Sequence, residues 1–529
     1  MHGQMLSPFK KENGLYKRSF KITPYKKRDD SMTVMLALIP IIMIFICLFV
    51  FKQTSLKASI ISYVVCSGIV LLSPMFRLQM GEIAHATIKG GLICFIVGYV
   101  LFFGIFLFHL MNKMGYIDQV ARFMEHVTHD RLLQMLLMCF GICPLIESVS
   151  GFGIGFMVAA PIFLSLGYRP FQAVLLSFIG LLASSWGAMA TGTIIGSGLI
   201  NMPLEQLGSG TAVLSVPIFA YFIILSLYIV GGFAAVKQKW KEATGFFLLF
   251  SLSIYLSSTY VSVELAGILS AIVTITFGFI VIKMTAKQQK EVYSEQAAAK
   301  QQEVSILKII SPYLFLTVCI LLSRLIPSFH SALQSYAIMN LPSYSYKLEL
   351  LYSPGFWLGV TCLFTIIFFR IPSIIIKQSL LQTVKQWIPF AITTTMFIAI
   401  SELMSAAGMH TLLAESAGHI FGMMFVFVAP FIGGIGGFLT GSNAGSNAMF
   451  MSLQMQTAQN VGLPWQFVTT VQNTSSSFAT IACPSRITLG AYLCNIPFRE
   501  NELLKKTTLM IFGAVLIVVV EVFVWHLIV

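Results

Sequence analysis

Apolar runs of about 20 residues, enough to cross a hydrocarbon core of roughly 30 Å as a helix, recur along the chain from Met32 to its end. Clear runs are Met32 to Phe51, Gly91 to Leu110, Thr211 to Val236, Val263 to Ile282 and Met510 to Val529. The pattern predicts helices at about 32–51, 58–76, 91–112, 132–146, 171–200, 211–236, 243–260 and 262–283. A polar segment rich in Lys, Gln, Glu and Ala, from Lys283 to Lys308, interrupts the hydrophobicity. Helices then resume near 308–326, 354–370, 388–408, 418–440, 466–496 and 507–528. The fold class this predicts is an all-α polytopic membrane protein with about 12–14 transmembrane helices.

The two halves match. A shift of 295 positions lays 58–76 on 353–371, 91–112 on 386–407, and 211–236 on the last helix. At the same shift the turn Leu166-Gly167-Tyr168-Arg169-Pro170 falls on Val461-Gly462-Leu463-Pro464-Trp465, and Glu147-Ser148-Val149-Ser150-Gly151 falls on Ser442-Asn443-Ala444-Gly445-Ser446. Shared hydropathy alone does not align small-residue interruptions, so a duplication is expected: repeat 1 at about 52–236, linker helices and a cytoplasmic loop at about 237–350, and repeat 2 at about 351–529. Both lie in a single transporter domain, 31–529, behind a basic cytoplasmic tail, 1–30. Duplicated halves with interruptions in equivalent places are the construction of secondary transporters, which hold substrate near the midplane between the repeats.

Composition agrees with a membrane class. The chain has 529 residues, 57% hydrophobic and 10% charged, against roughly a quarter charged in soluble domains. The net charge of +13 does not mark a nucleic-acid groove, because eight Lys and Arg residues lie in the first 30 positions and most others between apolar runs; that is the distribution of topology signals. No small-residue cleavage site follows the tail, so a retained first helix with a cytoplasmic N-terminus is expected. The nine cysteines sit in apolar segments and read as small hydrophobes. Basic residues put the tail, the Lys237/Lys239/Lys241 loop and the polar segment on the inner side. In the second half the signal splits, with Arg370, Lys377 and Lys385 inside but Arg499, Lys505 and Lys506 outside. Inversion of the repeats is expected from how such transporters are built.

Two stretches are wrong for lipid-facing helices. One is Glu147-Ser148-Val149-Ser150-Gly151-Phe152-Gly153-Ile154-Gly155; the other runs from Gly433-Gly434 through Gly436-Gly437 to Gly441-Ser442-Asn443-Ala444-Gly445-Ser446-Asn447. Glycine weakens a helix by up to about 1 kcal/mol per residue, so re-entrant hairpins are expected. Unwound amides and half-helix N-termini there become donors for a carboxylate, with Ser148, Ser150, Gly151, Gly153, Ser442, Asn443, Ser446 and Asn447 completing the site. A second interruption follows each hairpin: Ser184-Ser185-Trp186-Gly187 with Thr191-Gly192-Thr193, and Gln472-Asn473-Thr474-Ser475-Ser476-Ser477 with Pro484-Ser485-Arg486. These predict broken helices that add Ser184, Ser185, Gln472, Asn473 and Arg486, whose guanidinium matches a carboxylate in bidentate geometry. Ionisable groups inside spans are functional candidates by default. Glu147 and Glu402 are the candidates for proton coupling, while Glu521 is expected at the headgroup level. No phosphate loop, histidine–cysteine cluster or nucleophile elbow accompanies them, so no catalytic role and no metal site is read. The partners expected are a small carboxylate substrate, a co-transported proton and the bilayer, with no nucleic acid and no other cofactor; oligomeric state is left open, a homodimer included. Sodium-coupled carriage of dicarboxylates or other carboxylates is the alternative, followed by an anion channel, a membrane sensor or an intramembrane enzyme.

With these residues the chain resembles the lactate permease family of bacterial proton-coupled monocarboxylate transporters. The resemblance rests on Gly151-Phe152-Gly153, Leu166-Gly167-Tyr168-Arg169-Pro170, Trp186-Gly187-Ala188, and Phe438-Leu439-Thr440-Gly441-Ser442-Asn443 with Ser446-Asn447 and Met449-Phe450, and it covers nearly everything after residue 32. It implies two repeats with paired hairpins and import of lactate or glycolate with protons across the cell membrane. The chain departs from the family in Ser148, where Gly is usual, and in the serine-rich stretch after Gln472.

Overall fold

The computed structural model describes residues 31–51, 53–116, 119, 128–151, 153–289, 306–344 and 346–528. The basic tail, Phe152 and the greater part of the polar segment lie outside them.

Helices α1 (Ser31–Phe45), α2 (Ser55–Leu72) and α3 (Met80–Lys113) lead into a hairpin. The carboxylate of Asp130 caps its first arm by accepting from the N–H groups of Leu132 and Leu133 at 3.0 and 3.3 Å. That arm is α4 (Arg131–Leu137), continued through a π turn into α5 (Cys143–Ser150). Gly151 and Gly153, with φ of +66° and +79°, reverse the chain in a conformation that glycine adopts without a Cβ penalty, and α6 (Ile154–Ser165) returns. The hairpin leaves by the face it entered: the Tyr168 hydroxyl donates to the Arg131 carbonyl.

A helix broken near its middle follows, α7 (Pro170–Ile179) and α8 (Gly187–Ile200), and then α9 (Leu204–Gln238), α10 (Trp240–Tyr260) and α11 (Val263–Gln289). After the polar segment come α12 (Ile306–Leu325), α13 (Pro327–Ser335) and two short antiparallel strands, β1 (Ile338–Leu341) and β2 (Tyr346–Glu349), paired Ile338 to Glu349 and Leu341 to Tyr346. These are the only strands among the described residues.

The second half repeats the first. Helices α14 (Pro354–Phe368) and α15 (Ser373–Ala406) correspond to α2 and α3. Then α16 (Met409–Phe421) precedes a second hairpin, α17 (Phe425–Thr440) and α18 (Asn443–Asn460), reversed at Gly441 with φ of +61°. It too returns to its own face, since Gln454 Nε2 donates to the Ala429 carbonyl at 3.2 Å. A second broken helix, α19 (Trp465–Ala479) and α20 (Pro484–Leu493), leads to α21 (Glu500–Ile528). Gly167 and Gly462, 295 positions apart, both carry positive φ at the ends of the two hairpins.

Equivalent helices run in opposite directions. Along α3 and α15 the pairs are Lys89–Glu402 at 2.8 Å, His109–Gln386 at 3.2 Å and Lys113–Gln378 at 3.4 Å, so numbers rise on one helix as they fall on the other. This is the geometry of an inverted repeat. Hairpin 1 and the first broken helix form the centre, 94% buried along Arg131–Ser150, while α1 is 28% buried. Eleven described helices are long and apolar enough to cross a membrane, or twelve if the pair Ile310–Leu325 and Pro327–Ser335, bent by 92°, counts as one span.

Sidedness corrects one expectation. Thr33, at the start of α1, hydrogen-bonds Met75 Sδ at 3.4 Å, so α1 begins beside the α2–α3 turn. From there α3 crosses, and hairpin 1 goes in and comes back, to the face where Asp130 pairs with Lys239 at 2.7 Å. The start of α1 and the Lys239 loop therefore lie on opposite faces, because 132–146 is the arm of a re-entrant hairpin and not a crossing. Hairpin 2 resolves the charge split in the same way: Arg370, Lys377 and Lys385, around the start of α15, share a face with Arg499, which lies 4.4 Å over the ring of Phe171.

Candidate functional site

The tips of the two hairpins meet the breaks of the two broken helices. The first helix breaks through a 3₁₀ turn, Gly180–Trp186, with Ala183 off helical geometry. Three successive residues, Ala188, Met189 and Ala190, follow with left-handed φ of 38°, 57° and 65°. The second breaks at Thr480–Ala482 and an extended Cys483, where Pro484 cannot continue the preceding ladder and instead opens α20. Between them is a cavity of about 50 Å³, several times the roughly 10–15 Å³ that one water needs.

Each element supplies part of the lining. Hairpin 1 gives Glu147 and Gly151; the first broken helix gives Ser184, Gly187, Ala188, Thr191 and Gly192. Hairpin 2 gives Gly441, Ser442, Asn443 and Ala444, the second broken helix gives Thr480 and Arg486, and Leu101 and Phe390 close the wall. Arg486 lies between the tips. Its Nη1 donates to Thr480 Oγ1 at 3.2 Å and its Nη2 to the Gly441 carbonyl at 2.9 Å, while its Nε is 3.3 Å from where a Cβ on Gly153 would be. A guanidinium has five N–H donors, so two committed bonds leave others for an anion. Glu147 is 3% exposed, and its carboxylate accepts from Gly153 N at 3.0 Å and Gly155 N at 3.1 Å, capping α6. One fixed cation and one capping carboxylate thus face the same small cavity.

Behind the lining lies a polar network between the repeats. Asn473 is its hub: Oδ1 accepts from Asn443 Nδ2 at 2.9 Å and Asn447 Nδ2 at 2.8 Å, and Nδ2 donates to Thr193 Oγ1 at 3.2 Å and Thr211 Oγ1 at 2.8 Å. Asn447 also donates to the Gly192 carbonyl at 3.0 Å and accepts from Gln472 Nε2 at 3.4 Å. Gln472 Nε2 further donates to Ser446 Oγ at 3.2 Å, and its Oε1 accepts from Gln454. Ser185 and Ser477 hydroxyls bond at 2.6 Å, tying one broken helix to the other. All these side chains are buried, where a hydrogen bond is electrostatically stronger than in water.

Of the residues singled out in the sequence, Glu147, Gly151, Ser184, Ser442, Asn443 and Arg486 line the cavity, and Gly153 lies beside Arg486. Ser185, Ser446, Asn447, Gln472 and Asn473 form the supporting network. Ser148 and Ser150 do not reach the cavity: a Cβ on Gly267 would lie 2.2 Å from Ser148 Oγ, which therefore faces α11, and Ser150 is wholly buried off the lining. Glu402 is also elsewhere, paired with Lys89 at 2.8 Å between the equivalent helices. Glu521 does not sit free at the headgroups, since its Oε2 is buried with no partner among the described residues. Thr191, Gly192 and Thr193 belong to the interruption read in the sequence but were given no contact with substrate, and Thr480 and Thr211 were not assigned to the site. The signal that points to Thr191 is its place in the polar Thr191-Gly192-Thr193 cluster just after the break.

Two inverted repeats, each pairing a re-entrant hairpin with a broken helix around a shared cavity, define a membrane transporter. The chain belongs to the L-lactate permease family, whose profile matches residues 33–345 and 338–529. It is similar to the L-lactate permease of Salmonella typhi, 23% identical over 518 residues that cover 90% of this chain and 92% of that protein. The L-lactate permease of Bacillus subtilis strain 168 is 24% identical over 549 residues, covering 94% and 96%. The glycolate permease GlcA of Escherichia coli K12 is 24% identical over 527 residues, covering 90% and 92%.

Proposed function

We propose that the protein imports lactate, or a related small 2-hydroxymonocarboxylate such as glycolate, by proton symport, with alternating access around the cavity between the hairpin tips. The observation that carries this reading is Arg486, held between both tips with free donors beside a cavity of small-solute size. A monocarboxylate matches one guanidinium, and the N-terminal ends of α6 and α18 add positive potential. Glu147 supplies the coupling. Ionised, it balances the charge of Arg486; protonated, it leaves that charge for the substrate carboxylate, so one proton enters with each anion. Similarity to lactate and glycolate permeases supports the substrate class.

The protein is placed in the cell membrane with the face bearing Lys113, Arg131, Lys239, Lys308, Arg370 and Arg499 toward the cytoplasm, following the positive-inside bias. That orientation turns the start of α1 outward, in contrast to the cytoplasmic N-terminus expected from the tail.

The test is uptake of labelled L-lactate into proteoliposomes under an imposed pH or sodium gradient. Accumulation driven by the pH gradient alone is expected, and Glu147→Gln should abolish that drive while lactate/lactate exchange persists. Accumulation that needs sodium and ignores pH would sink proton coupling. A preference for dicarboxylates would sink the substrate reading.

A further inference from the structure

The polar network fixes which way round Asn443 sits, and that orientation has a chemical consequence for the cavity it lines. Two threonines anchor it. Thr193 Oγ1 donates its proton to the Ser185 carbonyl at 2.8 Å, and Thr211 Oγ1 donates to the Leu207 carbonyl at 2.7 Å. A hydroxyl has one proton, so both oxygens can only accept from Asn473, which must present its Nδ2 to them. Asn473 therefore turns Oδ1 toward Asn443 and Asn447, and these must present their own Nδ2 groups. Amide orientation is assigned from such networks, and here the chain of donors leaves one solution. At its end, Asn443 has Nδ2 committed and Oδ1 buried with no partner. Among the described residues that line the cavity, it is the one with an unpartnered buried side-chain oxygen.

A lone acceptor calls for a donor. The carboxylate of a substrate has none to give, because its oxygens only accept. We propose that Asn443 Oδ1 reads the 2-hydroxyl of the substrate, so that the site selects 2-hydroxymonocarboxylates over monocarboxylates of the same size that lack a hydroxyl proton. The inference rests on the carboxylate-transport reading and adds to it the residue that sets specificity. It predicts an order among solutes of nearly equal size. L-Lactate and glycolate satisfy Oδ1. Propionate leaves it unpaired, and pyruvate, whose 2-oxo group is an acceptor, sets one lone pair against another and ranks last. Sites that hydrogen-bond a substrate hydroxyl reject analogues without it strongly when the partner is buried, so a discrimination of about tenfold or more between lactate and propionate is expected.

The experiment is inhibition of labelled L-lactate uptake in proteoliposomes by unlabelled L-lactate, glycolate, propionate and pyruvate, with the wild type and Asn443→Ala. The wild type should follow the order above. In Asn443→Ala, lactate should fall to within about threefold of propionate, and pyruvate should gain most, because the repelling oxygen is gone. Thermal unfolding of the wild type in each solute gives the same order without a variant: lactate and glycolate raise Tm, and propionate and pyruvate do so less. Propionate or pyruvate matching lactate in the wild type, or an unchanged order in Asn443→Ala, would overturn the assignment of Asn443 and leave monocarboxylate transport standing. Failure of all four solutes to compete or stabilise would overturn the assignment together with the transport reading beneath it.

Discussion

At the scale of single residues, the site separates side chains that are spent from those that are available. Asn447 is spent: its amide serves Gly192, Asn473 and Gln472 at once. Asn447→Ala leaves the Gly192 carbonyl and a Gln472 donor short of partners in a buried setting, where each orphan costs about 1–3 kcal/mol. Thermal unfolding in detergent should show a lower Tm for this variant, with lactate uptake falling in step with the folded fraction; an unchanged Tm would mean that water replaces the amide. The sequence already pointed to Asn443, Asn447 and Arg486, because amides and a guanidinium inside glycine-rich apolar stretches have few other uses. It misled at Ser148 and Ser150, where residue type was read without helical phase. Successive helix residues are turned about 100° apart, so Ser148 faces α11 although its neighbour Glu147 reaches the cavity, and Ser150 is packed against α3, its Cα 3.6 Å from where a Cβ on Gly104 would be.

At the scale of elements, small residues set how closely hairpins and helices approach. A Cβ on Gly437 would lie 2.0 Å from the Ser476 carbonyl oxygen, and one on Gly104 would lie 2.2 Å from that of Val149. The first contact joins hairpin 2 to its broken helix, and the second seats hairpin 1 on α3. Gly437→Ala and Gly104→Ala should each destabilise by about 1–3 kcal/mol, the range for overpacked cores. Gly68→Ala and Gly81→Ala, with nothing within 4 Å, should leave Tm unchanged or slightly raised. Equal effects in the two pairs would refute this account of the packing. The left-handed turn at Ala188, Met189 and Ala190 gives a contrast of sign. Left-handed geometry costs a non-glycine residue roughly 1–2 kcal/mol, so Ala190→Gly should hold or raise Tm, whereas Ala212→Gly, in the buried right-handed interior of α9, should lower it by about 1 kcal/mol or more. Hairpins, breaks and the 295-residue correspondence were legible because glycine, proline and polar clusters punctuate apolar runs. The left-handed turn was not, since Ala-Met-Ala carries no preference for it and tertiary contacts impose it. The strands after α13 were missed for a related reason: two four-residue segments are too short for alternation to register.

At the scale of the whole molecule, one reading of the sequence fails for a reason that is itself informative. Hydropathy counts an apolar stretch as a crossing whether it traverses the bilayer or enters and returns. Counting 132–146 and 418–440 as crossings put the tail and the Lys239 loop together and divided the basic residues of the second half. Once both stretches are re-entrant, Lys239, Lys308, Arg370 and Arg499 gather on one face, through Lys239–Asp130, Lys308 over Phe369 and Arg499 over Phe171, while Arg77 and Lys347 lie on the other, beside the starts of α1 and α3. Arg370 and Arg499, divided by that count, then share one face. The consequence can be read in intact cells carrying single cysteines in a variant with all nine natural cysteines replaced. Ser31→Cys should react with a membrane-impermeant maleimide from outside, whereas Lys241→Cys and Lys308→Cys should react only after the membrane is opened. Labelling of Ser31→Cys and Lys241→Cys from the same side would mean that hairpin 1 crosses the membrane. With that crossing would go the inverted pairing of hairpins around Arg486, because only a hairpin that turns back at Gly151 can bring its tip against one that turns back at Gly441.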